Sequence, residues 1–276
     1  MLGKERLRDY LAYKIIGYSQ PTFKVRLMDK LPFYSEVSFC EGVYCYISST
    51  RELKRSKKMF DPQVHNWLKR FKPGDVFYDI GANIGMFSLS VAKMYDEQVK
   101  TYAFEPSFST FAALVRNVIA NKFDNSIFPH SIALGSKAGV RNFNYASIIS
   151  GDAVHALDKT VNQRGDAFSP IFSQQMISFP LDELVENFSF SPPTHIKIDV
   201  DGGELEIIEG MKRTLKRPEI KSVMVEVTEN MEEGSNYKKT LNLFAEAGFE
   251  QQGRIPHVNK RDNSIISDFL FTKDWN

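Results

Sequence analysis

The ten residues from Val76 to Gly85 constrain the fold of this chain more than any other stretch. They read VFYDIGANIG, an apolar run of β-branched and aromatic residues that passes directly into a turn bracketed by two glycines. Such a run is typical of a strand buried on both faces of a parallel sheet. Met86 to Tyr95 continues without proline, which predicts a helix. Its N-terminus would then face the crevice where open α/β sheets bind ligands.

Two features of this stretch predict a polar site. Asp79 interrupts the apolar run, and a carboxylate is costly to bury unless a polar group or a cation pairs with it. Gly81 and Gly85 permit backbone conformations and close approaches that a Cβ would block. We therefore expect a ligand-holding turn at the end of this strand.

A second acid, Glu105, follows the next apolar run, Val99 to Phe104. A carboxylate there can accept hydrogen bonds from both ribose hydroxyls of a nucleoside. Dinucleotide-binding enzymes share this geometry, but their G-x-G-x-x-G turn packs against a pyrophosphate. Here the turn differs and Asp79 precedes it, so S-adenosylmethionine, with its ribose, ammonium and sulfonium, suits the pair better. Either acid taken alone is equally explained as an ordinary strand-end carboxylate.

Composition indicates a globular, cytoplasmic protein. The 276 residues are 42% hydrophobic and 25% charged, and no run approaches the roughly 18 apolar residues of a membrane span. The N-terminus lacks the apolar block and small-residue cleavage site of a secretory signal. Cys40 and Cys45 are too few for a disulfide scaffold and have no zinc-site spacing, so we expect reduced thiols. The oligomeric state cannot be read from the sequence.

Charge is unevenly distributed along the chain. Residues 1–72 contain 15 Lys and Arg against 7 Asp and Glu, which leaves 20 against 27 for the remainder. We expect residues 1–72 to form a basic N-terminal cap over the active site of a catalytic domain, residues 73–276. The densest basic run, Arg51 to Lys58, is explained either by a solvated helix face or by contact with an anionic acceptor. A lipid head group, a nucleotide-linked sugar and RNA all fit the second explanation, so peripheral membrane contact stays open.

Hydrophobic periodicity fails between residues 146 and 176. The stretch is longer than most structureless connections, and we expect a substrate loop. His155 lies in it, although a lone loop histidine is more often exposed than catalytic. Before it, Ile127 to Leu134 predicts a third strand, with Gly139 to Tyr145 paired beside it. Ser131 would then lie where a third strand flanks an adenine ring.

A second informative stretch, His195 to Met211, reads HIKIDVDGGELEIIEGM. Apolar residues alternate as a strand, two glycines make a turn, and a helix begins at Glu204. Asp199, Asp201 and Glu204 therefore cluster at one strand end. Like charges this close raise at least one pKa, neutralise one acid or recruit a cation. The cluster is a candidate functional site on that ground.

These blocks together resemble the FkbM-type methyltransferases. The order DIGANIG, FEPS, IALGS, PLDEL, IKIDVDGGELEIIEGM and VMVEV is shared over about residues 73 to 230. The resemblance implies an S-adenosylmethionine-dependent, mostly O-methylating enzyme. It also implies a Rossmann-like class I methyltransferase fold of the α/β class, with a seven-stranded, mostly parallel sheet and a reversed last strand. Asp201 stands where the family more often has Glu. The resemblance implies cofactor contacts at Asp79, Gly81, Asn83, Gly85 and Glu105.

The chemistry of such an enzyme narrows the catalytic candidates. A sulfonium methyl is already activated, so the protein must align an acceptor oxygen and exclude water. A sugar or alcohol hydroxyl is a poor nucleophile and needs a base. Asp201 and Glu204 are the first candidates, with His155 behind them, and Asp199 is expected to face the cofactor ammonium. Alternatively Asp199, Asp201 and Glu226 could hold Mg²⁺, which is possible but not expected.

Three alternatives remain at this point. An NAD-dependent oxidoreductase would need the tighter glycine fingerprint. An RNA-binding methyltransferase would explain the basic N-terminal segment. Base N-methylation, however, commonly uses an Asp/Asn-Pro-Pro-aromatic clamp where this chain reads Asp199-Val-Asp-Gly. A fold that binds the cofactor without catalysis is the third. We expect a small-molecule or saccharide acceptor, and nucleic acid is an unlikely partner.

Overall fold

The computed structural model describes residues 33–38, 40–153, 155–161, 167–258 and 264–273. By its internal contacts the chain divides into two units, Met1–Tyr34 and Ser35–Asn276. The second unit carries the features described below, and residues 1–32 of the predicted cap segment lie outside the described residues. Within the described ranges, no helix has the length and apolar character needed to cross a membrane.

The described elements alternate between strands and helices over most of the chain. In chain order they are β1 (Tyr34–Glu36), β2 (Tyr44–Tyr46), α1 (Thr50–Ser56), α2 (Pro62–Leu68), β3 (Val76–Ile80), α3 (Met86–Met94), β4 (Lys100–Phe104), α4 (Phe108–Asn121), β5 (Ile127–His130), β6 (Ala133–Leu134), β7 (Gly139–Tyr145), β8 (Ala156–Leu157), β9 (Phe172–Phe179), α5 (Leu181–Asn187), β10 (His195–Ile198), α6 (Glu204–Glu209), α7 (Lys212–Leu215), β11 (Ser222–Thr228), α8 (Asn236–Glu246), β12 (Glu250–Val258) and β13 (Ile265–Thr272).

The central sheet has seven strands in the order β12-β13-β11-β10-β3-β4-β5. β3 pairs in parallel with β4 and β10, whereas the last strand, β13, pairs antiparallel with both β11 and β12. The predicted Rossmann-like, mostly parallel sheet with a reversed last strand is therefore confirmed. The strand order runs outward in both directions from β3, so the carboxyl ends of β3 and β10 form the switch-point crevice where such sheets bind ligands.

Both faces of β3 are buried, as its continuous apolar run predicts. Tyr78 packs in the cluster on one face of the sheet, and Phe77 packs in the cluster on the other. Trp67 of α2 joins the Phe77 cluster, and its indole N–H donates to the Ser222 hydroxyl over 2.7 Å. The described part of the segment before residue 73 thus contributes to the core of the sheet.

A second, four-stranded sheet has the order β6-β9-β7-β8. β7 pairs antiparallel with β9 and β8, so the predicted pairing of Gly139 to Tyr145 beside the third strand is wrong. The stretch 146–176 contains β8 and the beginning of β9. These strands carry mostly polar, exposed residues at their outer ends, so hydrophobic alternation could not indicate them or their partners.

Candidate functional site

A cavity of about 910 Å³ lies at the carboxyl ends of β3, β4 and β10. Its wall combines the turn after β3, the residues after β4, the loop between β10 and α6, the region around β8 and one face of α1. The volume is near the upper end of the ~300–1,000 Å³ of small-molecule sites. The two stretches singled out in the sequence therefore meet in one site.

The two glycines of the turn serve different contacts. Gly81 has φ +75°, and a Cβ there would lie 1.9 Å from the backbone oxygen of Asp199. Gly85 has φ +93°, and a Cβ there would lie 2.6 Å from Cδ1 of Leu114 on α4. Gly81 lines the cavity, whereas Gly85 lies outside the lining and lets α3 approach α4.

Glu105 lies on the cavity wall directly after β4. The backbone N–H of Asn83 donates to its Oε2 over 2.9 Å, and the backbone N–H of Ser107 donates to its Oε1 over 2.8 Å. Burial raises the pKa of Glu105 to about 7, although these two hydrogen bonds oppose the shift. Each carboxylate oxygen has a further lone pair, so the ionised group can still accept two hydroxyl hydrogens.

Asn83 connects the turn to a loop formed by residues 150–152. Its φ is +52°, its amide Nδ2 donates to the Asp152 carbonyl oxygen over 3.2 Å, and its Oδ1 accepts from the backbone N–H of Ile84. The Asn83 side chain lines the cavity but is already hydrogen-bonded within the protein. It therefore holds the turn and the loop in fixed positions.

Asp79 is completely buried and does not line the cavity. Its Oδ2 accepts from the backbone N–H and the hydroxyl of Ser88, over 3.1 and 2.6 Å. Its Oδ1 lies 3.5 Å from the ammonium of Lys197. The polar partner and the cation that an acid in this strand requires are thus side chains of the protein itself.

Lys197 is the site residue that the sequence reasoning missed. Its ammonium donates to the Gly81 carbonyl oxygen over 2.9 Å and lies 3.4 Å from Oδ2 of Asp199. Burial acts to lower the pKa of Lys197, but the charges of Asp199 and Asp79 outweigh it and raise the pKa. The available signal was the alternation of β10, because it places Lys197 and Asp199 on one face. The pairing of β10 with β3 then sets Lys197 opposite Asp79.

The three acids after β10 separate into two environments. Asp199 and Asp201 line the cavity, whereas Glu204 is 6% exposed and lies outside the lining. Oε1 of Glu204 accepts from the backbone N–H groups of Gly202 and Val200, over 2.9 and 3.4 Å. Burial raises the pKa of Glu204 to about 7. The Glu204 side chain therefore stabilises the loop between β10 and α6.

Asp199 is held in its ionised form. Burial acts to raise its pKa, but Lys197, Arg55 and Lys58 outweigh this and hold the pKa below its ordinary value. The Asp199 side chain is 44% exposed. An ionised, accessible carboxylate on the cavity wall can bind a cationic group of a ligand.

His155 lines the cavity and is 7% exposed. Its Nδ1 accepts from the backbone N–H of Ala146 over 3.3 Å, so the neutral ring carries its proton on Nε2. Within the described ranges Nε2 has no hydrogen-bond partner, and burial lowers the pKa of the ring. This arrangement suits a hydrogen-bond donor. The remaining predicted residue, Ser131, is exposed and lies outside the lining, although its neighbour Ile132 is part of it.

Glu226, a candidate metal ligand, groups with residues that the sequence did not single out. One ligand atom each from Glu226, His257 and Asp268 lie within 4.8 Å of one another. Nε2 of His257 lies 2.9 Å from Oδ2 of Asp268, and this hydrogen bond raises the pKa of His257. The three residues could hold a divalent ion only with a neutral His257, because a protonated imidazole has no lone pair to donate.

Comparison with known proteins gives the family. Residues 79–250, more than half of the chain, match the Methyltransferase FkbM domain. The chain is 27% identical over 263 residues to the hexuronic acid methyltransferase AglP of Haloferax volcanii, covering 95% of this chain and 94% of that protein. It is 28% identical over 176 residues to the 31-O-demethyl-FK506 methyltransferase FkbM of Streptomyces tacrolimicus, covering 56% and 66% of the two chains.

The comparison with solved structures also returns a protein with the FkbM name. The crystal structure of methyltransferase FkbM from Methylobacillus flagellatus KT superposes with a TM-score of 0.44 and 16% identity, over 72% of this chain and 44% of that one. The match over residues 79–250 includes the turn after β3, Glu105 and the acids after β10. The chain belongs to the FkbM methyltransferase domain family, and its activity is methyl transfer.

Proposed function

We propose that this protein transfers the methyl group of S-adenosylmethionine to an oxygen of a saccharide acceptor. One observation carries the proposal: the Glu105 carboxylate lies on the cavity wall beside the Gly81 turn, and among the described residues each of its oxygens accepts one backbone N–H, which leaves each a further lone pair. Two neighbouring hydroxyls, such as those of a ribose, match this pair of acceptors. The chain belongs to a methyltransferase family, so methyl transfer is preferred to the NAD-dependent oxidoreductase alternative.

In this proposal other cavity residues suit the adenine ring and the ammonium group of S-adenosylmethionine. The apolar side chains of Phe104, Ile132 and Leu134 line the cavity near Glu105 and suit an adenine ring. The ionised carboxylate of Asp199 suits the donor's ammonium. Lys197 fixes Asp199 and the Gly81 carbonyl oxygen in place. The residues present therefore fit S-adenosylmethionine, which supplies an activated methyl group.

Asp201 is the proposed base for a hydroxyl acceptor. Of the three candidates, Glu204 lies outside the cavity lining and the neutral ring of His155 already carries its proton on Nε2. The carboxylate of Asp201 lines the cavity beside Asp199. In the proposed step the acceptor oxygen forms a bond to the methyl carbon, the carbon–sulfur bond breaks, and Asp201 takes the hydroxyl proton.

The relatives support an acceptor of this class. AglP, which aligns over nearly the whole chain, is named for a hexuronic acid, which is a sugar. The cavity of about 910 Å³ accommodates a donor and an acceptor together. Saccharides are therefore the first acceptors to test.

The proposal is tested by incubating the protein with radiolabelled S-adenosylmethionine and a panel of glycosides, with mass spectrometry of the products. We expect one methyl group to be added to an oxygen of the sugar, and Asp201→Asn to lower kcat about 100-fold or more on a hydroxyl acceptor while binding the donor normally. Donor binding without transfer to any saccharide would overturn the proposed acceptor class. A full rate in Asp201→Asn would remove Asp201 as the base.

A further inference from the structure

We propose that the cavity-facing side of α1, together with Lys58 two residues beyond its end, is an anion-binding subsite that holds a negatively charged group of the acceptor. The inference rests on the proposed function, methyl transfer to a saccharide, and specifies the acceptor as an acidic one. The subsite consists of Arg51, Lys54, Arg55 and Lys58, all of which line the cavity.

The spacing of these four residues places them on one side of the chain. Positions 51, 54, 55 and 58 follow the three- and four-residue steps that bring side chains together on a helix. Lys57, which interrupts the pattern, does not line the cavity, and its ammonium donates to the Glu36 carbonyl oxygen instead. The basic face of α1 is therefore part of the site wall.

The positive charge of this wall is only partly compensated within the described residues. Lys54, Arg55 and Lys58 form no close ion pair there, although the charges of Arg55 and Lys58 act on Asp199, and Arg51 lies 3.5 Å from Oδ1 of Asp152. Another cation of the cavity, Lys159, is already paired with Glu206 over 3.1 Å. Like charges on one wall repel each other, and a bound anion relieves that repulsion.

The backbone of α1 and the Arg55 side chain are held in place by contacts within the protein. The carboxylate of Glu52 is completely buried and accepts from the backbone N–H of Ser49, closing a capping box at the start of α1. Loop 150–152 packs directly on this turn, because a Cβ at Gly151 would lie 2.9 Å from the Glu52 nitrogen. Arg55 Nε donates to the Gly151 carbonyl oxygen over 3.2 Å. A binding group held in place by the fold loses little entropy when the ligand binds.

The same loop sets the distance between the two halves of the site. Asp152 contacts Arg51 through its carboxylate and accepts from Asn83 of the donor turn through its carbonyl oxygen. The cavity thus has an acidic side, with Glu105, Asp199 and Asp201, and a basic side on α1. An acceptor with an anionic group would orient itself between them, because only one orientation satisfies both.

Guanidinium and ammonium groups recognise carboxylates and phosphates alike. The anion is therefore either the carboxylate of an acidic sugar or the phosphate of a nucleotide- or lipid-linked sugar. Three probes separate these sources: para-nitrophenyl β-D-glucuronide carries a carboxylate, UDP-glucose carries phosphates, and para-nitrophenyl β-D-glucoside is neutral. Each is titrated by calorimetry onto protein saturated with S-adenosylhomocysteine, and each is tested as a methyl acceptor.

The test uses Arg55→Gln/Lys58→Gln, with Lys57→Gln as the matched control. In the wild type we expect one charged probe to bind at least about tenfold more tightly than the glucoside. The double variant should lose about tenfold or more of that affinity, because two charged contacts are removed, and less than about twofold on the glucoside. The control should match the wild type, and S-adenosylhomocysteine is kept saturating for every variant, because Arg55 and Lys58 also act on the Asp199 carboxylate that is proposed to hold the donor.

Three results would overturn the inference: equal binding of charged and neutral probes, no binding of either charged probe, or equal losses on all probes in the double variant. A fourth result would also overturn it, by assigning the basic residues to the donor. If the double variant weakens S-adenosylhomocysteine binding and spares the glucuronide, the wall binds the donor's own carboxylate. Failure of the proposed function looks different, because a charged probe would then bind through α1 without accepting a methyl group.

Discussion

A Cβ on Gly81 would lie 1.9 Å from the backbone carbonyl oxygen of Asp199, so the turn after β3 and the loop after β10 are in direct backbone contact. The ammonium of Lys197 reinforces this contact, because it donates to the Gly81 carbonyl oxygen and lies beside the Asp199 carboxylate. The two stretches that carry the proposed donor site are therefore one structural unit. Its disturbance should affect stability and donor binding together.

Gly81→Ala should be strongly destabilising. The methyl group meets rigid backbone, and φ at this position is +75°, so we expect a loss of about 3 kcal/mol or more in the free energy of unfolding. Gly74→Ala is the control, since φ there is +90° but a Cβ would meet nothing within 4 Å; strain alone should cost about 1 kcal/mol. Urea unfolding measures both variants, and equal losses would show that the contact with Asp199 is unimportant.

Lys197→Met should cost about 3–5 kcal/mol, because it leaves Asp79 buried without its cation. The double variant Lys197→Met/Asp79→Asn should recover part of that loss, since no isolated charge remains. Lys93→Met, at an exposed position, controls for the loss of a lysine. Chemical denaturation of the wild type, Lys197→Met, Asp79→Asn and the double variant gives the coupling energy. Strictly additive losses would mean that Lys197 and Asp79 do not interact.

Glu204 should make folding stability depend on pH. Its folded-state pKa of about 7 lies above its ordinary value of 4.5, so the folded protein holds this proton more tightly than the unfolded chain. The contribution is complete below pH 4.5 and is lost as the pH rises to about 7. Between about pH 5 and pH 8 the wild type should lose about 1–3 kcal/mol more stability than Glu204→Gln. Parallel pH profiles of the two proteins would refute this assignment.

Removal of divalent ions should leave methyl transfer intact. The hydrogen bond that His257 donates to Asp268 raises the pKa of His257 and favours its protonated form, which cannot bind a metal. Dialysis against EDTA should therefore change the rate by less than about twofold, and added Mg²⁺ should not raise it. A rate that EDTA abolishes and Mg²⁺ or Mn²⁺ restores, but not in His257→Ala, would instead make Glu226, His257 and Asp268 a functional metal site.

Local sequence patterns predicted the buried strands and the glycine turn, because each of these depends on neighbouring residues. The mainly apolar runs of β3, β4 and β11 are buried on both faces of the sheet, and this burial needs hydrophobicity on both faces whatever the partner strand. The positive φ angles of Gly81 and Gly85 require glycine in the turn itself. The number of strands and the reversed last strand came from the family resemblance, since several sheets satisfy the same local patterns.

Contacts between distant segments explain what the sequence left open. The partner of Asp79 depends on the register that sets Lys197 opposite it, and no local rule gives that register. The spacing of the basic residues of α1 already predicts that they share a helix face. The contacts of α1 with loop 150–152 then place that face in the cavity wall. Asp201 and Glu204 stand directly on either side of Gly202–Gly203 in the sequence. The turn of the backbone nevertheless places only Asp201 in the cavity lining.

Calorimetric titration of S-adenosylhomocysteine onto wild type and Glu105→Gln tests the central claim most directly. Glutamine keeps the size of the side chain but replaces one acceptor oxygen with a donor, so we predict affinity about 10–100-fold weaker than wild type at about pH 8. The wild-type affinity should also fall as the pH drops through about 7, where Glu105 becomes protonated, and the variant should lack this dependence. Glu41→Gln, at an exposed position, should bind like the wild type. Equal affinity of Glu105→Gln and wild type at both pH values would contradict the account.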